Sequence, residues 1–103
     1  MTLPFLKSSA AAGALASLAL LAGCGSVADW DCNRIAEKSV ELSQNQPIRF
    51  RTVTNVRETA RNENDARCEG TAQLVDGTTG TVYMRAYLEG SNIMVAYQGT
   101  PFP

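Results

Sequence analysis

A change of hydrophobic period at Pro47 divides the chain. Before it, Cys32, Ile35, Ala36, Ser39, Val40 and Ser43 recur at three- and four-residue intervals, with Asn33, Arg34, Glu37, Lys38 and Glu41 between them. That spacing predicts an amphipathic α-helix of about three turns. Asp29 or Asp31 offers its N-cap, and Pro47, lacking an N–H, prevents continuation. After Pro47 the period is two. Ile48, Phe50, Thr52, Thr54 and Val56 are expected on one face of a first strand, and Cys68, Gly70, Ala72 and Leu74 on one face of a second. Val82, Met84, Ala86 and Leu88 follow in a third, and Ile93, Val95 and Tyr97 in a fourth.

The breaks between these runs carry turn residues: Asn62-Glu63-Asn64-Asp65, Asp76-Gly77-Thr78-Thr79-Gly80 and Gly90-Ser91. A two-residue Gly90-Ser91 loop pairs Leu88 with Ile93, Ala86 with Val95 and Met84 with Tyr97, so every inward residue meets an inward residue. A three-residue Gly77-Thr78-Thr79 loop would set Ala72 and Leu74 against Val82 and Met84. Short loops make an antiparallel meander. The expected fold is therefore α+β: one N-terminal amphipathic helix on a four-stranded antiparallel meander. Gly70 is expected to make room for the helix, and Trp30 to staple the helix start to the core.

The front of the chain is a different material. Lys7 is the only charge before Ala10, and residues 10–22 are uncharged and mostly Ala and Leu. A short basic start and an apolar run of this length have the layout of a secretory signal. A retained membrane helix needs about 20 apolar residues, and Lys7, Ser8 and Ser9 interrupt any longer run. The run closes on Leu21-Ala22-Gly23-Cys24, which resembles the lipobox of bacterial lipoproteins. The resemblance covers residues 1–24. It implies that a diacylglycerol joins the Cys24 sulfur, that cleavage makes Cys24 the N-terminus, and that fatty acid such as palmitate anchors the protein. Small residues before the cysteine admit the peptidase. An A-x-A-like cut after Ser26-Val27-Ala28 competes; it lies beyond the apolar run, whereas Cys24 abuts it. Residues 1–23 are thus read as signal peptide, 24–28 as lipidated tether and 29–103 as one domain. Within that class an aspartate after the cysteine implies inner-membrane retention; Gly25 stands there, so the outer membrane, facing the periplasm, is expected in a Gram-negative cell.

Three cysteines are an odd number for an exported chain. With Cys24 lipidated, Cys32 and Cys68 remain as a pair, on the helix's apolar stripe and the sheet's apolar face. In an oxidising compartment they are expected to form a disulfide.

Histidine is absent, which excludes Ser-His and Cys-His nucleophiles, HExxH sites and C2H2 zinc sites. No C-x-x-C, Gly-rich phosphate loop or Asp-rich calcium loop occurs, and no carboxylate pair can be placed across a cleft. No enzyme, cofactor, metal or small-molecule substrate is expected. A net charge of -1 argues against nucleic-acid binding.

The unusual surface is the sheet's other face. Alternation would place Arg49, Arg51, Arg57, Arg61, Arg67 and Arg85 there against Glu69 and Glu89, with Tyr83, Tyr87 and Met94 as an apolar ledge. A solvated face looks similar, since one polar face is normal for an antiparallel sheet. Read functionally, Arg49, Arg51, Arg57, Arg85, Tyr83 and Tyr87 are candidate contacts to a protein or an anionic envelope polymer. The expected function is a non-enzymatic, membrane-anchored binding module of the cell envelope. The alternatives are an inhibitor, immunity or exclusion lipoprotein that blocks an incoming enzyme or phage, and a structural subunit of an envelope machine.

Overall fold

The computed structural model describes residues 18–103, with side chains over 25–103. Most of the expected signal segment, residues 1–17, lies outside the described residues, as does the Cys24 side chain. The elements are β1 (Leu18–Cys24), a 3-10 turn (Val27–Asp29), α1 (Cys32–Ser43), β2 (Phe50–Asn62), β3 (Asp65–Leu74), β4 (Thr79–Glu89) and β5 (Asn92–Gln98). The sheet order is β1-β5-β4-β3-β2, antiparallel throughout. The four-stranded meander β2–β5 forms as expected. A fifth strand not expected from the sequence, β1, adds to the outer side of β5, where an uncharged strand offers a free row of backbone groups.

α1 begins where Asp31 caps it: the carboxylate accepts the Arg34 backbone N–H at 2.8 Å. Ile35, Ala36, Ser39, Leu42 and Ser43 are buried, facing Phe50, Cys68, Leu74, Met84, Ile93 and Val95 in one core. Leu42 was not among the expected inward residues. At the helix end, the Ser43 hydroxyl donates to the Val40 carbonyl at 2.7 Å and accepts the Phe50 N–H at 2.9 Å, fastening β2 to α1. The Cys32–Cys68 disulfide forms as expected, with Cα atoms 5.8 Å apart, and ties α1 to β3.

The chain ahead of α1 is already part of the domain. Ser26 accepts the Ala28 N–H, and Val27 is fully buried. Trp30 is buried, and the Arg34 guanidinium lies over its ring at 3.9 Å.

β3, β4 and β5 alternate as expected. Cys68, Gly70, Ala72 and Leu74 are buried, as are Val82, Met84 and Ala86, and Ile93, Val95 and Tyr97; Leu88 is half-buried. The β4–β5 hairpin has the expected register, with Leu88 opposite Ile93 and Met84 opposite Tyr97. The β3–β4 loop keeps three residues but lies earlier, at Val75-Asp76-Gly77, so Ala72 meets Gly80 and Cys68 meets Met84. The cause is Gly77, whose φ of 93° suits the left-handed position of such a loop. The Thr78 N–H and hydroxyl both donate to Asp76, holding its carboxyl below the usual carboxylate range.

β2 departs from strict alternation. Its register against β3 shifts three times, and Asn55 takes a φ of 53°. Thr52 and Thr54, expected inward, lie opposite Gln73 and Thr71 on the outer face, whereas Val53 lies opposite Ala72 and packs on the core with Val56. Each bulge inserts an unpaired residue and reverses the alternation. Gly70 makes room for this bulged segment and not for the helix: a Cβ there would sit 2.8 Å from Val53 Cγ1 and 3.0 Å from the Thr54 carbonyl oxygen.

Candidate functional site

The outer face of the sheet carries no second layer among the described elements. Its centre is the β3–β4 pair near the Asn62–Asp65 turn. Arg67 lies opposite Arg85, and Asp65 opposite Tyr87. Two guanidinium groups in apposition would repel; Asp65 lies between them, accepting Arg67 Nε at 2.8 Å and Arg85 Nε at 3.1 Å. The three side chains are largely shielded, at 17% exposure for Asp65 and 29% and 26% for Arg67 and Arg85, so this network is held more firmly than an exposed pair.

Arg85 also lies over two rings, Tyr87 at 4.2 Å and Phe102 at 5.4 Å. Phe102 arrives because the chain after β5 folds back over this face. Gln98 Nε2 donates to the Thr100 and Pro101 carbonyls, and Arg67 Nη1 to those of Phe102 and Pro103. Tyr83, Tyr87 and Met94 are half-buried, and Met94 stands opposite Tyr87. A cleft of about 450 Å³ opens beside Arg85 and Tyr87, lined also by Asn62, Glu63, Asn64, Asp65 and Leu88.

The expected basic platform is corrected in two ways. Arg57 is on the outer face and is paired with Glu69 across the strands. Arg61 lies opposite Ala66 on the inner side. It donates to Glu58 at 2.6 Å and to the Val27 and Trp30 carbonyls at 3.1 and 2.7 Å, which makes it a clamp on the 3-10 turn. Arg51 lines a groove of about 510 Å³ between α1 and β2, with its Nη2 3.3 Å from the Val75 carbonyl. Arg49 precedes β2 and is exposed. The paired strands thus present Arg57, Arg67 and Arg85 on the outer face against Asp65, Glu69 and Glu89. That face is charge-balanced, not basic.

Of the six candidate contacts, Tyr83, Arg85 and Tyr87 come together, Arg57 lies on the same face beside Glu69, and Arg49 and Arg51 lie apart. Sequence reasoning missed Phe102, which follows the last strand and has no periodicity to mark it. It also assigned Asp65 to a turn, although its separation from Arg67 already placed the two on one strand face.

Among the described residues no group of three or more acidic or cysteine side chains is placed to hold a metal ion, and no helix is long and apolar enough to cross a membrane. No family model, curated protein or solved structure matches this chain.

Proposed function

We propose that this protein is a bacterial envelope lipoprotein, anchored by lipid on Cys24, whose domain binds an envelope protein through the outer sheet face around Tyr83, Arg85 and Tyr87. The observation that carries the docking half is the pre-ordered cluster on that face. Asp65, Tyr87 and Phe102 hold the Arg85 guanidinium in place, beside half-buried Tyr83 and Met94. Aromatic, Met and Arg side chains are enriched at protein interfaces, and pre-ordering lowers the entropy lost on binding. The charge balance favours a protein over an anionic polymer, which would need guanidinium groups free of carboxylates.

The position of Val27 supports the anchor half. A cut after Ala28 would delete the fully buried Val27, whereas a cut before Cys24 keeps it. Three residues extend at most about 10 Å, so an anchored Cys24 would hold the domain against the membrane. Gly25 after the cysteine favours the outer membrane in a Gram-negative host.

The test has two arms. Fatty-acid labelling in cells should mark the wild type and not Cys24→Ser, which should leave the membrane fraction while staying folded; an unlabelled wild type ends the anchor reading. Cross-linking from the Tyr83 and Tyr87 positions in intact envelopes should trap one discrete protein, and Tyr87→Ala with Arg85→Ala should reduce its recovery at least tenfold while Arg49→Ala does not. Equal recovery from all variants ends the docking reading.

A further inference from the structure

The two edges of the meander differ in how they are protected. β2 is charged and bulged, and both devices obstruct pairing with another chain. β5 has neither: Asn92 to Gln98 contains no charged residue and no proline, and its register with β4 is uninterrupted. In this structure its free side is occupied by β1, with Leu18 opposite Tyr97 and Cys24 opposite Asn92. Cleavage ahead of Cys24, on the anchor reading above, removes residues 18–23 and uncovers that side.

We infer that the uncovered β5 edge pairs with β5 of a second copy, joining two meanders into one eight-stranded antiparallel sheet. The strand is self-complementary about Val95. In an antiparallel pair with Val95 at the two-fold axis, Ile93 of one copy meets Tyr97 of the other on the helix side. Met94 meets Ala96 on the outer side, and Asn92 meets Gln98 at both ends. Inward residues meet inward residues, apolar meets apolar and polar meets polar, as a register of the correct parity requires. The axis stands perpendicular to the sheet, so both helices lie on one side and the contact closes as a two-fold dimer. No charge on either strand opposes it, and two copies tethered to one membrane meet at high effective concentration.

The experiment uses the full-length chain, produced in a bacterium that processes lipoproteins and extracted in mild detergent. Intact mass reports processing, and sedimentation reports oligomeric state. Asn92 is exposed and Gln98 half-exposed, so both accept charge without disturbing the core. The wild type should lose residues 1–23, gain lipid and sediment as a dimer. N92K with Q98K sets like charges opposite each other at both ends and should weaken the dimer about tenfold. N92K with Q98E converts both to opposite-charge pairs and should restore it, which separates repulsion from misfolding. A processed, lipidated wild type that stays monomeric overturns the inference and leaves the anchor reading intact. A dimer indifferent to both variants places the contact elsewhere and also overturns it. A chain that retains residues 18–23 ends the anchor reading, and the edge inference falls with it.

Discussion

β2 and β5 both bound the meander, yet they are attached by different means. β2 is thirteen residues long, largely exposed and irregular, and side chains position it: Ser43 at its start, Val53 over Gly70 at its bulge, and Arg61 on the turn near its end. β5 is seven residues long, mostly buried, and held by an uninterrupted ladder and by apolar contacts from Ile93, Val95 and Tyr97. A specified edge resists pairing with other chains and depends on individual contacts. A regular edge depends on few of them and remains available for another strand. Substitutions on the β2 side should therefore each cost stability, and a polar deletion on the β5 side should cost little.

The largest effect is expected where α1 joins β3 beneath β2. The disulfide closes a loop between residues 36 apart and crosses the core at buried Cys68. Cys32→Ser with Cys68→Ser should lower unfolding free energy by about 2–5 kcal/mol. Denaturant titration measures it. A loss below about 1 kcal/mol would mean that Ser43, Arg61 and the bulge already hold the helix to the sheet without the bond.

Gly70→Ala comes next. The added methyl meets a valine methyl at 2.8 Å and a backbone oxygen at 3.0 Å, and the backbone cannot yield without moving the bulge. A loss of about 1–3 kcal/mol is expected. The companion substitution Val53→Ala removes the nearest contact and should recover part of that loss; no recovery would show that the Thr54 carbonyl is the main obstacle.

Arg61→Met keeps the aliphatic stem and removes three donors. The Val27 and Trp30 carbonyls lose their charged partner, at an expected cost of about 1–2 kcal/mol. Hydrogen exchange in the 3-10 turn should rise as global stability falls. Unchanged exchange there would refute the clamp and return Arg61 to the solvated surface.

The same contrast explains what could be read in advance. β3, β4 and β5 keep strict alternation, so their inward residues and the register of the last hairpin follow from period two alone. The Cys32–Cys68 pairing follows because each cysteine occupies an apolar position of its own element. β2 departs from the expected alternation because Thr52 and Thr54 occupy plausible strand positions and no composition marks its three irregularities, between Phe50 and Thr52, Thr54 and Arg57, and Glu58 and Ala60. The first shift displaces Arg51 and the third turns Arg61 to the inner side; with Arg49 ahead of the strand and Asp65 uncounted, a balanced face reads as a basic one. Tyr83, Arg85 and Tyr87 share the expected face because they lie on regular β4. Phe102 was missed because a tail folding back over a sheet has no period. β1 was missed because the same apolar residues satisfy a signal segment and an edge strand equally well.

The smallest change at neutral pH is expected on the regular side, from Tyr97→Phe. Tyr97 packs on Phe50 with ring centroids 5.0 Å apart, and its buried hydroxyl has no hydrogen-bond partner among the described residues. Removing an unpaired buried hydroxyl is nearly neutral or mildly stabilising, within about 1 kcal/mol. The distinguishing effect is in alkali. Burial pushes the phenol from 10.0 up to about 12, because the charged form would lose its hydration. Between those values the unfolded chain has released the proton while the folded chain still holds it. The folded state then binds more protons, so this group's contribution is full below pH 10 and is lost as pH rises towards 12. The wild type should therefore lose stability faster than Tyr97→Phe across that window, and the difference in tyrosinate absorbance between them should rise late, near pH 12. Parallel stability profiles and a difference that rises at ordinary phenol pH would mean that water reaches the hydroxyl, and that the inner side of β5 is more open than its ladder implies.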